Sequence, residues 1–127
     1  MLELMIGIII VGILATLAIP NFSKAIEKTK VKDAQTTLAA LYSAEKVYRL
    51  DQNAYGTLGN LIANHYITDP NAGNTTWGFA DGEPPTAATF KITATRTGGG
   101  WNGGTVSVDE NFTGTNYTST GYPPELS

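Results

Sequence analysis

The sequence predicts an α+β fold: one long N-terminal α-helix, kinked near Pro20, with a small C-terminal antiparallel β-sheet packed on its second half. Three observations predict it. Residues 4–19 are all apolar or glycine except Thr16. From Ser23 to about Asp51 there is no Gly or Pro, and Val31, Ala34, Leu38, Leu41, Tyr42 and Tyr48 recur at helical spacing. Beyond that point Gly, Thr and Asn crowd the chain, and short stretches alternate apolar with polar residues. The 127 residues therefore divide into an apolar helix half at 1–22, an amphipathic half at 23–52 and a small β domain with surface loops at 53–127.

The first half is apolar all round, with Leu4, Ile8, Val11, Leu14, Ile19 and Phe22 spread over its faces. Such a helix needs lipid or other helices around it. Its sixteen positions at 4–19 would rise about 24 Å. A hydrocarbon core of about 30 Å is usually crossed by about 20 residues, and Met1, Leu2 and Phe22 extend the stretch toward that length. A cleaved secretory signal would begin with basic residues, whereas Glu3 precedes this segment with no Lys or Arg before it. A carboxylate at the edge of an apolar helix calls for the headgroup layer or a cation as its partner. Gly7 and Gly12 soften the helix and permit close approach of another, although their spacing is not that of a Gly-x-x-x-Gly dimer motif. Pro20 removes a backbone hydrogen bond and is expected to kink or locally open the helix.

The residues Leu2-Glu3-Leu4-Met5-Ile6, Gly12-Ile13-Leu14-Ala15 and Ala18-Ile19-Pro20-Asn21-Phe22 together resemble the N-terminal signature of type IV pilins and pseudopilins. The resemblance covers about the first 50 residues. It implies a precursor cut by a prepilin peptidase and methylated at its new amine, held in the inner membrane and then drawn by pilus or secretion machinery into an extracellular homopolymeric filament. It assigns assembly roles to Glu3, which would neutralise a neighbour's N-terminal amine, and to Gly12 and Pro20, which bound a segment that often loses helical order in assembled pili. Mature chains of the family commonly begin two residues further upstream, so either two residues are expected ahead of Met1 or the processing is unusual.

Past Pro20, the amphipathic stripe is expected to receive the sheet, with Glu45 interrupting it and needing solvent or a partner. Lys24, Lys28, Lys30 and Lys32 lie just beyond the apolar half, where they suit anionic headgroups or form a solvated face with Glu27 and Asp33. Asp51-Gln52-Asn53-Ala54-Tyr55-Gly56 is a turn-rich helix stop, and Leu58, Leu61, Ile62 and Tyr66 suggest a short helix or packed loop. Strands are expected near 75–79, 89–96 and 105–109, the last two joined by the glycine-rich loop around Trp101.

Little in the chain suggests catalysis or cofactors. There is no cysteine and a single His65, and no convergent set of polar groups is evident. No phosphate-binding motif accompanies the glycine-rich loop. Asp69, Asn71 and Asn74 are weak calcium candidates better suited to turns. Asn74, Asn111 and Asn116 fit the N-glycosylation acceptor pattern. From Asp51 onward seven acids face only Lys91 and Arg96, so no nucleic-acid contact is evident in the subunit. The expected function is a structural filament subunit, a major pilin, with a type II secretion pseudopilin or a membrane-anchored binding domain as alternatives.

Overall fold

The computed structural model of the chain describes residues 1–122. Its first element is a single helix, α1 (Leu2–Gln52), of 51 residues, about 77 Å long at 1.5 Å per residue. The helix is uninterrupted at Pro20. The local opening expected there is not present in this isolated subunit: the missing N–H costs one bond to the carbonyl of Thr16, and the turns on either side carry the element across. Thr16 and Ser23 return their hydroxyls to the carbonyls of Ile13 and Ile19 within the same stretch. At the other end Asn53 takes the left-handed conformation, φ 58°, and donates its N–H to the Arg49 carbonyl at 2.8 Å. Asn tolerates that conformation better than most residues, which explains why the helix stops there.

A short helix follows, α2 (Leu58–Ala63). Thr57 caps it by accepting the Asn60 N–H at 3.1 Å, and the Asp81 carboxylate accepts the Leu58 N–H at 3.0 Å. Four strands complete the domain: β1 (Trp77–Glu83), β2 (Lys91–Arg96), β3 (Thr105–Asp109) and β4 (Thr118–Thr120). They form one antiparallel sheet in the order β1-β2-β3-β4, with a bulge in β1 between Asp81 and Glu83. One rim of the sheet is thus an irregular, acid-bearing strand and the other a three-residue polar strand.

The sheet packs on the second half of α1. Val31, Ala34, Leu38 and Leu41 are fully buried against Ile92, Ala94 and Val106, with Trp77, Phe79 and Phe90 closing the layer. Each such side chain contributes about 1.5–3 kcal/mol when removed from water. Tyr42 sits at the boundary, packed on Phe90 and Phe112 at ring separations of 6.0 and 5.1 Å. The alternation read in β2 holds, with Ile92 and Ala94 inward and Lys91, Thr93 and Thr95 outward.

Two strand readings change. The first strand begins at Trp77 because the Asn74 side chain takes the Thr76 and Trp77 N–H groups into a turn. It runs on past the expected end at Phe79 to Glu83, with Asp81 paired to Ile92, Glu83 paired to Lys91 and Gly82 left in the bulge between them. The fourth strand was not expected, since three polar residues carry no apolar alternation and are held by main-chain pairing to β3.

Candidate assembly interface

The apolar half of α1 stands clear of the domain. Leu4, Ile8, Val11, Leu14, Ile19 and Phe22 are each more than 60 % exposed, so every face of this rod lacks a partner in the isolated chain. The helix is long and apolar enough to cross a membrane. Glu3 lies in its first turn, exposed, where a carboxylate is favoured by the helix N-terminus. A Cβ built on Gly7 or Gly12 meets nothing within 4 Å, so whatever close approach these glycines serve is made by another molecule. Glu3, Leu4, Gly7, Ile8 and Val11 line one shallow groove along the rod, and Ala15, Ala18, Ile19, Asn21, Phe22 and Ser23 another.

The other half of α1 is fixed to the sheet by charge as well as by packing. Glu27 is buried and receives Arg96 Nε at 2.9 Å on Oε1 and Nη2 at 3.4 Å on Oε2. Arg96 also donates Nη1 to the carbonyls of Thr76 and Thr97. Tyr122 donates its hydroxyl to Glu27 Oε1 at 3.2 Å, and burial, together with the Glu27 charge, holds the phenol well above its ordinary pKa. Its ring lies between Trp77 and Trp101, at 6.3 and 5.8 Å, so the loop-tip Trp101 stacks within its own domain. Trp77 in turn donates its indole N–H to the Lys30 carbonyl at 3.0 Å. Glu27, read as part of a solvated face with the lysines, instead lies in the core, paired with a strand residue 69 positions away.

Sequence reasoning missed this pair, yet a signal was present. Glu27 extends the stripe of Val31, Ala34, Leu38 and Leu41 by one turn, and Arg96 is in phase with Phe90, Ile92 and Ala94. Two opposite charges on two apolar faces that must meet are a candidate buried pair.

Glu45 occupies the same stripe and is fully buried. Its Oε2 accepts the Gly56 N–H at 3.1 Å, while Oε1 has no partner. Burial pushes its pKa up to about 7, against the downward pull of the Gly56 bond and with a further push from Asp81. Gly56 is required here by close approach, since a Cβ would sit 2.8 Å from the Tyr48 ring. Nearby, Lys46 Nζ and Arg49 Nη1 both donate to the Tyr55 hydroxyl, at 3.0 and 3.1 Å.

The loop residues are engaged in local structure. Asp69 Oδ1 accepts the Asn71 N–H, and Asn71 makes a reciprocal pair with the Phe79 main chain at 2.7 and 2.9 Å. Asn74 Oδ1 accepts two N–H groups, and its amide donates to the Pro70 carbonyl. All three are thus committed to turns. Asn116 ties its loop together through Thr113 and the Asn111 carbonyl, whereas the exposed Asn111 side chain reaches only Glu110, at 3.4 Å. His65 is exposed, with φ 61°.

An exposed apolar rod carrying a sheet on its far half narrows the family sharply, and comparison with known proteins decides it. The family described as type IV minor pilin ComP, DNA uptake sequence receptor, matches residues 20–120. The chain belongs to the type IV pilin family. This pilin is 44 % identical over 62 residues to the type IV major pilin protein PilA of Myxococcus xanthus, a match covering 49 % of the chain and 28 % of PilA. It is 42 % identical over 57 residues to the type II secretion system core protein G of Aeromonas hydrophila, covering 45 % and 40 % of the two chains. The corresponding protein of Escherichia coli is 39 % identical over 57 residues, covering 45 % and 39 %. The pilin thus spans 28 to 40 % of the length of these curated relatives.

Proposed function

We propose that the chain is a non-catalytic structural subunit, a major pilin, of an extracellular type IV pilus-like helical filament. The carrying observation is the apolar half of α1, exposed on every face while the rest of the molecule has a closed core. Lipid covers such a surface before assembly, and sister helices cover it afterwards. Glu3 would then meet a neighbour's N-terminal amine at a depth where an unpaired carboxylate is costly. Gly12 and Pro20 would supply close approach and a weak point in the helix. The pilus assembly machinery and the inner membrane are the further partners of this reading.

A second reading, the major pseudopilin of a type II secretion system, is favoured by the core protein G relatives. DNA reception, the role in the description of the matching family, has little support from the charge of the globular domain. Beyond Asp51 the two cations are Lys91, 3.5 Å from Glu83, and Arg96, buried on Glu27. Phosphate contacts need clustered exposed cations.

The test is imaging of filaments sheared from cells that express the chain, with intact-mass measurement of their subunit. Filaments of matching subunit mass are expected. Recovery of the protein in membrane fractions alone, with no such filaments, would remove the proposal in favour of an anchored domain. Short filaments made only when a secretion system is overexpressed would favour the pseudopilin.

A further inference from the structure

The charges of the subunit are sorted along α1. Residues 28–32 carry Lys28, Lys30 and Lys32, and the acid just before them, Glu27, is drawn into the core to hold Arg96. Among the described residues, Asp33 is the one exposed acid within that stretch or next to it in sequence. The same pair withdraws Arg96 from the surface of the sheet. At the opposite end of the sheet, where Glu83 pairs with Lys91 and Lys91 with Asp109, three acids including Glu110 face Lys91 alone. Lys46 and Arg49, at this level of α1, are matched in number by Asp51 and Asp81.

Packing fixes which end is which. Arg96 closes β2 against Glu27, whereas Phe90, just before β2 opens, packs on Tyr42 and Tyr55. Glu27 and Tyr42 are separated by about 22 Å of helix. The basic end therefore lies toward the apolar rod and the acidic end away from it.

The basic end is also concave. Lys32, Gln35, Thr36, Tyr117 and Ser119 line a groove of about 660 Å³ with no carboxylate among its described lining residues. The Ser119 hydroxyl within it is buried without a hydrogen-bond partner, and Lys32 Nζ is held at 3.1 Å from Gln35 Oε1. Lys32, the one charged side chain among the described lining residues, gives this groove its positive character.

We propose that the 28–32 face of α1, with the groove beside Lys32, receives the Glu83, Asp109 and Glu110 end of a second copy of this chain. The inference rests on the filament reading above and deepens it, naming the surfaces that set one subunit on the next. Two unlike surfaces that bind each other do not close a pair. They propagate, head to tail, into an open helical array. Single exposed ion pairs are weak, but a matched pair of patches steers encounter and fixes register, and every subunit repeats it.

The experiment uses the full chain in a host that carries pilus assembly machinery. Three variants are compared with the native chain: Lys28→Glu with Lys32→Glu, Glu83→Lys with Asp109→Lys, and all four together. Glu110 is left intact because its carboxylate accepts the Phe90 N–H. Sheared filament is measured per unit of membrane-held subunit. Each double reversal is expected to lower it by roughly tenfold, and the fourfold variant to restore it to within about threefold of native.

Undiminished assembly of either double variant, or a fourfold variant no better than the doubles at equal membrane pools, overturns the proposal. So does a lysine reversal that empties the membrane pool while the acidic-end reversal assembles normally, the result expected if these lysines serve anionic headgroups. Should a reversal misfold, native filaments decide. They are expected to fragment as NaCl rises from about 0.05 to about 0.5 M, and constant length over that range overturns the proposal. Absence of filaments from the native chain would instead remove the filament reading itself.

Discussion

Three charged side chains, Glu27, Arg96 and Glu45, lie where apolar ones would pack, and they make two distinct predictions. Removing one member of the Glu27–Arg96 pair leaves an uncompensated buried charge, so Arg96→Ala is expected to cost about 3–5 kcal/mol. Chemical denaturation of the full chain in detergent micelles measures that loss. Glu45 works in the other direction. Its folded pKa of about 7 lies above the unfolded value of 4.5, so the folded state holds the proton more tightly. Its contribution is most favourable below pH 4.5 and is lost as pH rises toward 7, after which the loss is constant. Glu45→Gln is therefore expected to stabilise the chain by about 2 kcal/mol at pH 8 and by little at pH 4, as read by denaturation midpoints at the two pH values. Gly56→Ala, which drives a Cβ into the Tyr48 ring, is expected to cost about 1–3 kcal/mol at either pH. The stripes were legible in the sequence, whereas the pairing of charges across them was not. Helical and strand phase each place a residue on a face, but neither says which faces meet.

Among the elements, α1 was the most legible, because an unbroken run without Gly or Pro and a clear stop at Asn53 bound its second half. The sheet was legible where apolar alternation marks burial, as in β2, and illegible where main-chain pairing alone holds a strand, as in β4. Pro20 was read as a kink or a local opening in the helix, and the element runs through it without a break because a single missing bond is tolerated when both flanking turns are formed. Its weakness should still register in dynamics. Pro20→Ala restores the N–H that can bond to the Thr16 carbonyl, and amides of residues 17–24 are expected to exchange at least about tenfold more slowly in micelles. Leu38→Ala tests the packing itself. It empties a fully buried site between α1 and the sheet and is expected to cost about 2–5 kcal/mol.

For the molecule as a whole, half of the helix serves the fold and half is left for other surroundings. Glu3→Ala removes no contact within the subunit, so unfolding is expected to be unchanged while filament yield falls by about tenfold or more at equal membrane content. Counting sheared filaments against membrane-held protein measures it, and normal yield would instead place Glu3 in the headgroup layer. That role was read from the N-terminal residues alone, since the surface proposed to engage Glu3 would belong to another copy. The rims of the sheet bear on the same crowding. With a bulged acidic strand on one side and three polar residues on the other, neighbouring domains have no long flat edge through which to join main chain to main chain. Copies packed side by side are thereby spared fusion into a continuous cross-strand solid. In the proposed filament the contacts between copies would then run through side chains, and a fibre bound that way could be dismantled one member at a time with every domain still folded.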